Sequence, residues 1–180
     1  MAVDLPEECK QKIHGIQKIL ESVPADVKWV APQNYHITLK FLGSVLSARI
    51  ETAKQILDEC AQSLQSFKVM LDTAGAFPMV DKPDIIWIGP REESDNLKRA
   101  AGDLQTALSK GGFSIDTKPF HTHVTIGRSR SDRNHRELSA VIKTLNIEPI
   151  EISVSHLTIF QSTLSSDGPR YAELYRSPLK

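Results

Sequence analysis

Two stretches of this 180-residue chain obey one rule. His36-Ile37-Thr38-Leu39 and His123-Val124-Thr125-Ile126 both read His-x-Thr-x with x aliphatic, and their histidines stand 87 positions apart. On an extended strand, residues i and i+2 share a face. Each motif therefore sets an imidazole beside a hydroxyl on one side and leaves its aliphatic residues for a core on the other. The surroundings repeat as well: strand and helix lead to a motif strand, then a helix, then further strands, and the cycle restarts at Ile85. This is a diverged duplication rather than a solenoid. It predicts one α+β domain over 1–180, bilobal and pseudo-two-fold, each lobe an antiparallel sheet with helices outside. The two motif strands would then face each other across a central cleft.

The local patterns fill in that frame. Met1–Leu5 reads as a short strand, and Pro6, Glu7 and Glu8 open a helix over about 6–22 with Cys9, Ile13, Ile16, Leu20 and Val23 on its apolar face. Lys28–Ala31 starts a strand, and the first motif strand runs over about 35–42. Ser47 reads as the cap of a helix carrying Ile50, Ala53, Ile56, Leu57, Cys60 and Leu64. Phe67, Val69, Leu71 and Thr73 alternate as a strand broken by Gly75 and Pro78, and the turn 81–84 leads into Ile85–Ile88. A helix over 93–109 stops at Gly111-Gly112, and the second motif strand spans 120–127. Ser131 or Asp132 would cap a fourth helix with Leu138, Val141, Ile142 and Leu145 inward. A long strand from Pro149 to Gln161 turns at 165–168 into a last strand over 170–176.

Composition narrows the function classes. Lys+Arg and Asp+Glu are equal at 22 each, so the chain has no global basic footprint for coating nucleic acid. A local one exists: Lys118, Arg128, Arg130, Arg133 and Arg136 lie close together with Asp132 as their one acidic neighbour. Cys9 and Cys60 fall at apolar helix positions and require no disulfide. Without an apolar run of membrane-spanning length or a secretory leader pattern, the expected setting is cytoplasmic, with no membrane partner.

Two histidines across a groove suit acid–base catalysis, because imidazole titrates near neutrality. One neutral ring takes a proton from water while the other, protonated, gives one to a leaving oxygen. The threonine hydroxyls donate to an anionic oxygen held between them, and Arg128 could clamp a phosphate. A phosphodiester needs this combination. Zinc held by His36, His121 and His123 is the competing use of the same rings, but no Cys, Asp or Glu accompanies them at ligand spacing. His156-Leu157-Thr158 also reads His-x-Thr; it lies in a strand matching the one that starts at Phe67, not a motif strand, and is taken as structural. No phosphate-binding glycine pattern is present, so no cofactor is expected.

His36-Ile37-Thr38-Leu39-Lys40-Phe41-Leu42-Gly43 and Phe120-His121-Thr122-His123-Val124-Thr125-Ile126-Gly127-Arg128 resemble the two signatures of the 2H phosphoesterases, in particular the RNA 2′,3′-cyclic phosphodiesterase (2′-5′ RNA ligase, LigT-like) family. The likeness extends through Ala2–Glu8, Lys28-Trp29-Val30, Trp87 and the C-terminal Ser162-x-Leu164, Gly168, Tyr171 and Pro178-Leu179. It implies metal-free hydrolysis of RNA 2′,3′-cyclic phosphate ends to 2′-phosphates, with reversible 2′-5′ ligation; a monomer is expected. By that analogy His36 is the proton donor and His123 the proton acceptor. Thr38, Thr125 and Arg128 contact the phosphate, and Phe41 lies near the nucleobase. Phe41 is on the wrong strand parity for this, so a strand end or bulge is required. Thr122 stands where the family commonly has proline. A 2H esterase for a small cyclic nucleotide, and a nucleotide- or RNA-binding module without turnover, are the alternatives.

Overall fold

The computed structural model describes residues 1–165 and 168–180. Helix α1 (Glu7–Glu21) follows strand β1 (Ala2–Asp4), with Glu7 and Glu8 at the positive end of its dipole. Its buried stripe is Cys9, Ile13, Gln17 and Leu20. Gln17 belongs there because its amide is satisfied: Nε2 donates to Val30 O and Ile126 O, both at 2.8 Å. Strand β2 (Val27–Trp29) precedes the first motif strand, β3, which holds only His36–Thr38 rather than the expected 35–42. The ladder ends there because Leu39 N and Lys40 N both turn to one carbonyl, Met1 O, at 3.0 and 3.1 Å.

Ser47 does not cap the next helix. It opens a 3₁₀ turn over Ser47–Arg49, and α2 runs Ile50–Gln62. Strand β4 (Phe67–Leu71) is followed by β5 (Thr73–Met79), which runs through Gly75 and Pro78 instead of breaking at them. β5 is the edge of its sheet, where a proline forfeits little pairing. The turn into β6 (Lys82–Gly89) is correspondingly tighter than 81–84. Ser94 caps α3 (Asp95–Lys110) by accepting from Leu97 N, and Gly112 after it takes φ +75°. The second motif strand, β7 (Val124–Ser129), begins only after His123.

Neither Ser131 nor Asp132 caps α4 (His135–Thr144). Asn134, in the left-handed region at φ 57°, holds that place, and the Ser131 hydroxyl donates to Asp26 instead. The single strand expected from Pro149 is two. β8 (Ile150–Val154) and β9 (His156–Ser165) part at Ser155 and enter different sheets. β9 and β10 (Gly168–Pro178) form the expected hairpin, although Ser166 and Asp167 of its turn lie outside the described residues.

Among the described residues, one sheet runs β10-β9-β1-β3-β7-β6-β5, with β2 also on β7, and a second pairs β4 with β8; every pairing is antiparallel. The pseudo-two-fold is plain in this order. β1 and β6 flank the motif strands, β9 and β5 lie beyond them, and β8 and β4 pair with each other. His156 therefore sits on the counterpart of β5, the strand after the one that starts at Phe67. The core lies beneath the sheet, with Ile37, Val124, Ile126, Ile86 and Ile88 packed against the helices. No helix among the described residues is long and apolar enough to cross a membrane.

Candidate active site

The motif strands do not face each other across the groove. They lie side by side, joined antiparallel with Ile37 opposite Val124, both fully buried. Continuing that register sets His36 across from Thr125 and Thr38 across from His123. The four polar side chains thus share the sheet face opposite the core, each histidine beside the other motif's threonine. Directly opposed Cβ atoms sit about 5 Å apart and diagonal ones about 7–8 Å. The two imidazoles occupy a diagonal of that square, with room for one tetrahedral anion between them.

Both rings are held the same way. His36 Nδ1 donates to Asn34 O and His123 Nδ1 to His121 O, each at 2.8 Å. A carbonyl only accepts, so Nδ1 carries the proton and Nε2 is the titrating atom in both. Aromatic rings buttress them symmetrically. Phe77 of β5 meets His123 edge-on at 5.1 Å between centroids, and Phe160, at the equivalent place on β9, lies 5.8 Å from His36, with Tyr171 at 4.8 Å.

Burial is the main influence on both imidazoles and pushes each below its ordinary value. For His36 the Asn34 carbonyl and Asp4 pull upward, while the terminal ammonium and His123 push down. For His123 the His121 carbonyl and Glu93 pull upward, while His121 and Arg128 push down.

A family model for LigT like phosphoesterases matches the chain twice, over residues 3–87 and 88–171, one match to each lobe. The chain belongs to the LigT-like phosphoesterase family. It is 35% identical to an RNA 2′,3′-cyclic phosphodiesterase of Archaeoglobus fulgidus over 97% of this chain and 96% of that one. A protein of the same description from Thermotoga maritima is 33% identical over 97% and 91%. Among solved structures, Escherichia coli LigT complexed with 3′-AMP superposes with a TM-score of 0.77 at 25% identity, covering 99% of this chain and 95% of that one.

In this LigT-like chain a hollow of about 980 Å³ opens beside the square, with Thr38, His121 and His123 in its wall; His36, Thr125 and Arg128 are not among its lining residues. Phe41 lines it too and is 65% exposed. The parity objection to Phe41 disappears because β3 has already ended. Arg128 reaches the site face by the other device. β7 pairs Trp87 with Thr125 but Ile86 with Gly127, a bulge that absorbs Ile126 and moves Arg128 onto the face of Thr125. His156 lies on β9 and is not among the residues lining the hollow, with Nδ1 3.2 Å from its neighbour Ser155 Oγ.

Sequence reasoning missed Glu93. Its carboxylate contacts His121 Nδ1 and accepts from Thr122 N at 3.2 Å on each oxygen, so it holds the peptide whose carbonyl orients His123. In the first lobe Asn34 holds the place of His121, and its amide donates to Pro169 O at 2.9 Å. Lys40 was also missed. Its side chain is 1% exposed and its Nζ lies 2.9 Å from Asp116 Oδ1, an ion pair without hydrogen-bond alignment. Gln105 exchanges two bonds with the Asp116 backbone, at 2.9 and 3.0 Å, fastening the same segment to α3. Among the described residues no group of three or more His, Cys, Asp or Glu is placed to hold a metal ion.

Proposed function

We propose that this LigT-like phosphoesterase hydrolyses the 2′,3′-cyclic phosphate at RNA ends to a 2′-phosphate by two-histidine acid–base catalysis, as a cytoplasmic monomer. The observation that carries the reading is the crossed square of His36, Thr125, His123 and Thr38 around one point. A cyclic phosphate seated there receives hydroxyl donors from Thr38 and Thr125 and a guanidinium from Arg128. His123 Nε2 takes a proton from water as its oxygen bonds to phosphorus. The bond to the 3′-oxygen breaks, and His36 Nε2 delivers its proton to that oxygen. The reaction leaves a free 3′-hydroxyl and a 2′-phosphate. With a 5′-hydroxyl in place of water, the same step run on the cyclic phosphate gives a 2′-5′ linkage. Phe41, exposed on the wall of the hollow, offers a face to the terminal base.

The surroundings support that division of roles. Glu93 stands behind His123 and favours the imidazolium it becomes as acceptor. His36 is buried beside Tyr171 and Phe160, and that desolvation favours giving its proton away. The test is incubation, in EDTA, with an oligoribonucleotide ending in a 2′,3′-cyclic phosphate. A 2′-phosphate product is expected, with His36→Ala and His123→Ala each slowing turnover at least 10²-fold. No product, a 3′-phosphate, or full activity in either variant overturns the reading.

A further inference from the structure

The basic residues near Arg128 form a row whose direction follows from strand register. Arg128 lies opposite Lys28 on β2 and opposite Ile85 on β6, and Ile85 lines the catalytic hollow. Opposed residues of an antiparallel pair share a face, so Lys28 and Arg128 both stand on the site face. Gly127 confirms this independently. A Cβ there would strike Val27 Cγ1 at 2.8 Å and Trp29 Cε3 at 2.9 Å, so Val27 and Trp29 occupy the other face and Lys28 is left on this one. Arg130 extends the row by two residues, its N donating to Asp26 O at 2.8 Å as the ladder continues.

Along one line the site face therefore reads His123, Thr125, Arg128 with Lys28, then Arg130, with about 6.6 Å between the two arginines. Lys28, Arg128 and Arg130 are exposed and make no ion pair among the described residues, in a chain of zero net charge. Asp26, opposite Arg130, takes a hydrogen bond from Ser131; Asp84 and Asp132 are the other acidic residues nearby. The hollow on the opposite side carries Lys98 and Lys118 but also Asp84 and Asp116.

We propose that Lys28 and Arg130, continuing from Arg128, form a track for the phosphates of the RNA strand upstream of the cyclic end, so that the preferred substrate is an oligonucleotide rather than a mononucleotide. This rests on the function proposed above. Unpaired cations in line with the catalytic square would hold successive phosphates without reading bases, and binding there would weaken with salt.

The experiment compares wild type with K28E/R130E on a 2′,3′-cyclic mononucleotide and on a pentaribonucleotide ending in the same group. A parallel assay titrates a fluorescent pentanucleotide with a 2′-phosphate end, which binds without turnover. The double variant is expected to lose about tenfold or more in kcat/KM and in affinity for the pentanucleotides at low salt, with the mononucleotide rate unchanged. The log–log salt slope of binding should fall by about 1.4, for two contacts. Unchanged pentanucleotide affinity and slope overturn the track. So does a loss produced by K98E/K118E and not by K28E/R130E, which would send the strand across the hollow. If wild type hydrolyses neither substrate, the function has failed, and the binding titration still decides the track.

Discussion

Replacing Glu93 tests how much of the catalytic geometry is held from behind. The carboxylate, 20% exposed, fixes two successive groups: the His121 ring and the Thr122 N–H. In Glu93→Ala, the partly buried Thr122 N–H loses its partner at about 1–3 kcal/mol. The contact with the His121 ring adds under about 1 kcal/mol, since His121 is more than a third exposed and screened. The larger expected effect is on turnover. The freed peptide carries the carbonyl that orients His123, and a misplaced general base loses about 10–100-fold in kcat, or 1.4–2.7 kcal/mol of barrier. KM for the oligonucleotide should change less than threefold, because the threonines and Arg128 remain. Glu93→Gln, whose amide oxygen can still accept from Thr122 N, should recover much of kcat. It removes a charge that raises His123, while His121 and Arg128, which lower it, stay in place. The limb of the pH–rate profile belonging to His123 should therefore move to lower pH in both variants. Stopped-flow or chromatographic rates from pH 5 to 8, with a thermal melt on each protein, provide the readout. Wild-type kcat with an unmoved limb in Glu93→Ala would show that the His121 carbonyl is held by other means.

Two further outcomes follow from burial. Burial lowers both imidazoles from the ordinary histidine value, and in the proposed mechanism the reactive form has His36 protonated and His123 free. The kcat/KM profile should peak below pH 6.5, falling at higher pH as His36 loses its proton and at lower pH as His123 gains one. The phosphate charge raises both in the complex, so the kcat peak should lie at higher pH; a kcat/KM optimum above pH 7 contradicts desolvation as the dominant effect. Gly75→Ala would drive its Cβ into the Trp87 ring, which packs on Phe77 and His121. Displacing that ring should destabilise by about 1–3 kcal/mol, lowering Tm by roughly 2–12 °C. An unchanged Tm would mean that the indole moves freely.

The helices were legible because each carries an apolar stripe at helical spacing, and α1 to α4 fall where those stripes predict. Gln17 is the exception, a polar residue on the buried face whose two carbonyl partners are Val30, just past β2, and Ile126 of β7. The motif residues were legible too, but their mutual placement was not. Register between strands 87 positions apart depends on Ile37 meeting Val124, which no local pattern encodes. The parity change at Ile126 and the early end of β3 are tertiary effects of the same kind, and they alone bring Arg128 and Phe41 to the site. Gly75 and Pro78 looked like breakers because local propensity cannot know that their strand is an edge. Glu93 reads as the opening residue of a helix; its partners at 121 and 122 become neighbours only on folding.

The pairing of Ile37 with Val124 has a consequence for how such a site could arise. Antiparallel contact through one central residue pair is self-complementary, like an isologous dimer interface. A single half-chain bearing one His-x-Thr-x strand, meeting a second copy of itself along that strand, would already assemble two imidazoles and two hydroxyls around a common point. Joining the halves in one chain adds no catalytic group; it releases the two sides from being identical. Glu93 behind His123 is the mark of that release, and unequal surroundings are what the proposed donor and acceptor roles require.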